Sequence, residues 1–218
     1  MDTIFLLRKG IIYFGYLVLL TNVILYNTSN KEKSNAYKFI SLYLIFSFII
    51  QIISSYLASI KANNLFYFHI FNIGQFILMC LFFKTILKNK IFKIILKYII
   101  FIVPISLVVF YIFNQKLLLS FNIVEIFICS IPLLVLSFML FIEKMDSKNK
   151  KYIYFNSGFF LYLICSTLLF SAGNIEAETL RLLWLLNSFI YLFYQFLVFV
   201  EWYENFRKPT EKSSLKDV

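Results

Sequence analysis

Seven stretches of roughly 20 mostly apolar residues, the length that carries a helix across a bilayer core, succeed one another along this chain with short polar joints between them. They lie at 10–26, 36–60, 65–87, 91–113, 117–142, 152–172 and 180–202. A membrane strand needs only about 10 residues and alternates polar with apolar, whereas these runs are long and continuous. Lipid offers no partner to an unpaired backbone N–H or C=O, so each run is expected to be a helix. Composition agrees: 61% of the 218 residues are hydrophobic, 15% are charged, and the mean hydropathy is +0.82. A soluble domain holds about a quarter charged residues. The expected fold is an all-α polytopic bundle of seven transmembrane helices over residues 1–203, with a short polar tail at 204–218.

The basic residues orient that bundle. Lys31, Lys33 and Lys38, Lys84 to Lys97, Lys144 to Lys151, and Arg207 to Lys216 all fall on one side when seven spans are threaded. Only Arg8, Lys9, Lys61, Lys116 and Arg181 fall on the other. Because positive loops stay inside, the C-terminus and the 1–2, 3–4 and 5–6 joints are expected in the cytoplasm and the N-terminus outside. Arg8 and Lys9 dissent, and Ile4–Leu7 are read as lying in the interface ahead of the first span. The net charge of +10 is thus loop charge facing anionic headgroups and implies no nucleic acid.

Several chemistries are excluded by what is missing. The single histidine, His69, cannot build a multi-histidine metal site, and Cys80, Cys129 and Cys165 lie in apolar spans without a C-x-x-C pair. Span seven has no lysine for a retinal Schiff base, and neither a Gly-rich phosphate loop nor G-x-S-x-G occurs. No cofactor is expected. A lone pair, Glu125 with His69, is the one arrangement that offers general-base chemistry on water, and the chain is read as non-enzymatic.

The informative residues are the polar ones inside the spans. Glu125 stands about eight residues into the fifth span, some 12 Å deep at 1.5 Å per residue, where an exposed charge costs on the order of 3 kcal/mol. It is expected to face the bundle, with Asn122 and Cys129 on its helical face. HIFNIGQ places His69, Asn72 and Gln75 on one third of span three. Trp184, Asn187, Tyr191 and Tyr194 form a seam on span seven. Spans three, five and seven are therefore expected to line a polar pocket open to the outside, with Asn72, Glu125 and Asn187 at similar depth. The alternative is that these amides hold helices together.

KSNAYKFIS from Lys33 parallels KNKKYIYFN from Lys148, and GQFIL at Gly74 parallels YQFLV at Tyr194. With span four as linker, this resembles the three-plus-one-plus-three parallel layout of SWEET sugar facilitators, although the Pro-Gln dipeptide of that family is absent. The likeness would make Asn72 and Asn187 equivalent sugar-site residues. FHIFNIGQFI, NSGFFLYLICSTLLFSAGN and WLLNSFIYLFYQFLVFVEW resemble seven-span inner-membrane proteins of Flavobacterium-type Bacteroidota, a likeness that implies a bacterial inner-membrane location and no particular activity. The expected function is a sensor or signalling accessory that takes a small ligand in the outer pocket and meets a cytoplasmic partner through its basic loops. A small-solute facilitator and a structural subunit of a membrane complex are the alternatives.

Overall fold

The computed structural model describes residues 3–28, 34–145, 147–172 and 179–207. Seven helices follow in order: α1 (Thr3–Thr28), α2 (Asn35–Ser59), α3 (Leu65–Ile86), α4 (Lys90–Phe113), α5 (Ile123–Met145), α6 (Ile153–Ser171) and α7 (Thr179–Asn205). All seven contain a stretch long and apolar enough to cross a membrane, and no strand occurs among the described residues. The multi-pass helical architecture expected from the sequence is therefore the one observed. Two boundaries differ. α1 runs unbroken from Thr3, so 4–7 are continuous with the first span's helix. The fifth helix begins at Ile123, not near Leu117, because Gln115–Leu119 form a 3-10 turn and Asn122 starts the helix. The tail after Arg207 lies outside the described residues.

Six helices close a ring in the order α1, α2, α3, α5, α6, α7, with α7 returning to α1. α4 stands outside this ring, against α3 and the near edge of α5. The interior is filled with rings: Tyr43, Phe76, Phe83, Phe155, Phe159 and Tyr194 are each at most 1% exposed. Tyr162 stacks on Tyr194 at 5.7 Å, and Phe155 on Phe159 at 6.1 Å. Outward faces carry Phe101, Ile105 and Ile112 on α4 and Leu182, Phe189 and Phe193 on α7. With apolar groups outside and polar groups within, the packing suits lipid as solvent.

Buried amides and hydroxyls bridge neighbouring helices. Asn22 Nδ2 donates to Gln195 O (2.9 Å) and Oε1 (3.1 Å) between α1 and α7. Ser137 and Asn156 exchange two bonds between α5 and α6, at 2.8 and 3.0 Å. Such contacts are worth around 0.6 kcal/mol each and rarely above about 2, so the ring rests mainly on packing.

Two glycines set how close helices come. A Cβ on Gly158 of α6 would lie 2.8 Å from Tyr194 Cδ2 and 3.2 Å from Leu197 Cβ of α7. One on Gly74 of α3 would lie 2.3 Å from Phe46 Cζ of α2. Phe46 is half-buried and can swing aside, whereas Tyr194 is fully enclosed. Gly158→Ala is expected to lower stability by roughly 1–3 kcal/mol and Gly74→Ala by less. Unfolding of detergent-solubilised protein in a titration with SDS checks both the loss and its order.

The two ends of the bundle differ. At one end, Ser34 Oγ and Tyr152 Oη lie 2.7 Å apart, and Phe206 packs on Tyr37 and Tyr152. This end gathers the lysine-rich joints, and Lys151 Nζ lies 4.5 Å above the Phe206 ring. Two carboxylates close helix starts there. Glu143 of α5 accepts from Lys88 N (3.1 and 2.9 Å) and Asn89 N (3.4 Å) just before α4. Glu201 of α7 is fully buried and accepts from the backbone of Tyr152, Tyr154 and Phe155 at the start of α6. An acid at a helix start meets unpaired N–H groups and the positive end of the helix dipole. Glu201 is thus a cap between helices. At the opposite end, Asn63 Nδ2 donates to Leu119 O (3.4 Å), joining the 2–3 and 4–5 connections.

Candidate functional site

Beneath that second end lies a polar cluster built from α3, α4 and α5. Asn122 caps α5: its Oδ1 accepts from Val124 N (3.1 Å) and Glu125 N (3.4 Å). Glu125 therefore sits in the first turn of its helix, not two turns down as counted from a start near Leu117. It is nevertheless fully buried, because α3 and α4 cover it. His69 and Asn72, one turn apart on α3, both reach the carboxylate. His69 Nδ1 lies 2.7 Å from Oε2, and Asn72 Nδ2 donates to Oε1 at 2.9 Å. Tyr111 of α4 donates its hydroxyl to Oε2 and accepts from Asn122 Nδ2 at 3.0 Å.

These donors define the chemistry. Three of them converge on the two carboxyl oxygens of Glu125, so the polar atoms of a side chain removed from water all find partners. Facing a carboxylate, His69 Nδ1 carries a hydrogen, and this fixes the ring. Its other nitrogen, Nε2, is buried and makes no hydrogen bond among the described residues. A carboxylate holding Nδ1 while Nε2 stays available is how proteins orient an imidazole toward a ligand. Among the described residues no cluster of His, Cys, Asp and Glu could hold a metal.

An aromatic roof closes the cluster at its end. Phe68 packs on the His69 ring at 5.6 Å, on Phe121 at 5.0 Å and on Phe170 at 4.8 Å. Trp184 of α7 joins this roof through Phe121 and Phe170, with the Arg8 guanidinium 5.4 Å over its ring.

The structure thus gathers four of the eight residues expected to line the pocket: His69, Asn72, Asn122 and Glu125. Gln75 points elsewhere, accepting from Tyr43 Oη at 3.1 Å. Tyr191 accepts from Gln51 Nε2 at 2.6 Å. Trp184 belongs to the roof, and Asn187 is half-buried with Oδ1 unpartnered. α3 and α7 do not meet directly among the described residues, and Asn187 makes no bond to the cluster that Asn72 joins. The helices that assemble the cluster are three, four and five rather than three, five and seven. Tyr111 was not among the residues singled out in the sequence, because one tyrosine among 15 in so aromatic a chain carries no signal. The start of α5 was readable: Asn122 followed three residues later by Glu125 is the spacing of a helix N-terminus.

Fold and cluster together define a multi-pass seven-helix membrane protein with a buried carboxylate network near one end. No family model, no curated protein and no solved structure matches the chain.

Proposed function

We propose that this protein is a membrane sensor in which the Glu125 network is the responsive element, with the lysine-rich end in the cytoplasm and the N-terminus outside. The observation that carries the reading is that one carboxylate ties three helices together by its hydrogen bonds. A ligand or proton that competes for those bonds changes how α3, α4 and α5 pack, and only a differential interaction of that kind shifts a conformational equilibrium. α4 stands outside the ring and starts at the basic end beside Glu143, so its movement is visible to a cytoplasmic partner. The basic loops supply that partner's contact surface and the inward orientation. The likeness to Flavobacterium-type seven-span proteins supports a bacterial inner membrane.

A facilitator is less well supported. The ring's centre is packed with tyrosine and phenylalanine, and the helices that carry Asn72 and Asn187 do not meet directly. Spin labels at Lys93 and Asn149, on α4 and the 5–6 joint, test the sensor reading. Glu125→Gln is expected to shift their distance distribution in reconstituted protein. An unchanged distribution, together with solute uptake by proteoliposomes that Asn187→Ala abolishes, would replace it with the facilitator. The Glu125–His69 contact favours a second reading, hydrolysis of a lipid ester by base-activated water. Ester turnover by purified protein that His69→Gln removes decides for it.

A further inference from the structure

A groove of about 630 Å³ runs beside the cluster, between α3 and α4, with Phe46 of α2 at its floor. Its α3 wall extends from Phe66 to Ile77, about 16 Å at 1.5 Å per residue. Ile70, Ile73, Ile77, Val108 and Ile112 make it apolar, and Phe66 and Ile112 are exposed where it opens on the lipid-facing side. Only three polar side chains line it: His69, Tyr111 and, at the membrane-end mouth, Gln115. The size falls within the range of small-molecule sites, which are mostly apolar with a few placed polar groups.

Tyr111 is committed elsewhere, donating a hydrogen bond to Glu125 and accepting one from Asn122, and Gln115 is exposed. His69 differs: the residue is 2% exposed, its Nδ1 is held by Glu125, and its Nε2 has no partner among the described residues. A buried polar atom without a partner costs about 1–3 kcal/mol, and here it belongs to a residue that lines a cavity. A water-soluble ligand would leave the Ile and Val wall unmatched, and a plain hydrocarbon would leave Nε2 unmatched.

We infer that the groove is a lateral binding site for an amphipathic, lipid-soluble molecule: an alkyl chain lies between α3 and α4, and a hydroxyl head donates a hydrogen bond to His69 Nε2. The molecule enters from the bilayer rather than from water. Nε2 is shut to a water-sized sphere in the empty groove, so the head reaches it by side-chain adjustment at the wall. The inference shares the Glu125 network with the sensor reading but does not need the helices to move.

His69 is the only histidine in the chain, so its ring nitrogens are reported without overlap by nitrogen-15 NMR of histidine-labelled protein in phosphatidylcholine nanodiscs. Adding 1-dodecanol is expected to move the Nε2 resonance and leave Nδ1 in place, while dodecane moves neither. Val108→Trp, which fills the groove away from the cluster, is expected to abolish the dodecanol response with the Nδ1 line at its wild-type position. Ile112→Trp serves the same purpose should Val108→Trp fail to fold. An Nε2 line indifferent to dodecanol overturns the inference. So does an equal response to dodecane, or a response that survives the filled groove. Because the spectra read only occupancy at His69, they separate this site from the helix displacement read by spin labels.

Discussion

Glu125→Ala is expected to be the most damaging single substitution in the bundle, lowering stability by about 3–5 kcal/mol, since each buried polar group left without a partner costs about 1–3 kcal/mol. It strips the acceptor from His69, Asn72 and Tyr111 at once. It also leaves a hole where α3, α4 and α5 converge. Asn72→Ala removes one donor of three and is expected to cost about 1–2 kcal/mol, the scale of one buried hydrogen bond with its partner left behind. The Glu125→Ala/His69→Ala double variant should lose less than the sum of the two singles, since the second change removes a group the first has stranded. SDS unfolding of purified protein measures all four terms of that cycle. Strict additivity would mean that the histidine and the acid do not interact.

Glu201→Ala comes next. Three backbone N–H groups at the start of α6, on Tyr152, Tyr154 and Phe155, would lose their acceptor, as would the Asn205 side chain. An orphaned buried donor costs about 1–3 kcal/mol, and water at the membrane end recovers part of it, so a loss of roughly 2–4 kcal/mol is expected. Tyr152 adds to this, because its backbone is held at φ 72°, a left-handed conformation that a non-glycine residue rarely adopts. Glu201→Gln keeps the size and one acceptor oxygen, and should fall between wild type and alanine. Hydrogen exchange at residues 152–156 locates the effect. Protection unchanged there, with stability lost elsewhere, would show that Glu201 acts through packing rather than as a cap.

The fold was legible because lipid leaves few choices. Seven runs of bilayer length have to be helices, and their basic joints had to be grouped, as Ser34, Lys151 and Phe206 at one end now show. The site was legible in part. His69, Asn72 and Glu125 stood out because hydrocarbon rejects them, and they meet. What failed was the route from sequence distance to depth. Counting from Leu117 placed Glu125 two turns into a helix, while a 3-10 turn and the Asn122 cap put it in the first turn. Leucines occupy both the turn and the helix, so hydropathy could not mark the border. Which helices meet was hidden for another reason: a seam such as Trp184 to Tyr194 gives the inward face of α7 but not its neighbour. That neighbour proved to be α1 and α6 rather than α3. The capping role of Glu201 was not legible because its partners are backbone groups, which every residue has and no composition reveals.

The circular order of the helices bears on how the chain is made. A translocon releases helices from first to last, yet the seam that shuts the circle joins the earliest to the latest. Until α7 emerges, Asn22 lacks Gln195 and Tyr26 lacks the Val198 carbonyl it binds. The half-made protein therefore waits with an open side, its hydrophilic groups turned to acyl chains or to a chaperone. A stall in synthesis before residue 195 should leave a product marked for proteolysis, however well its first six helices are inserted.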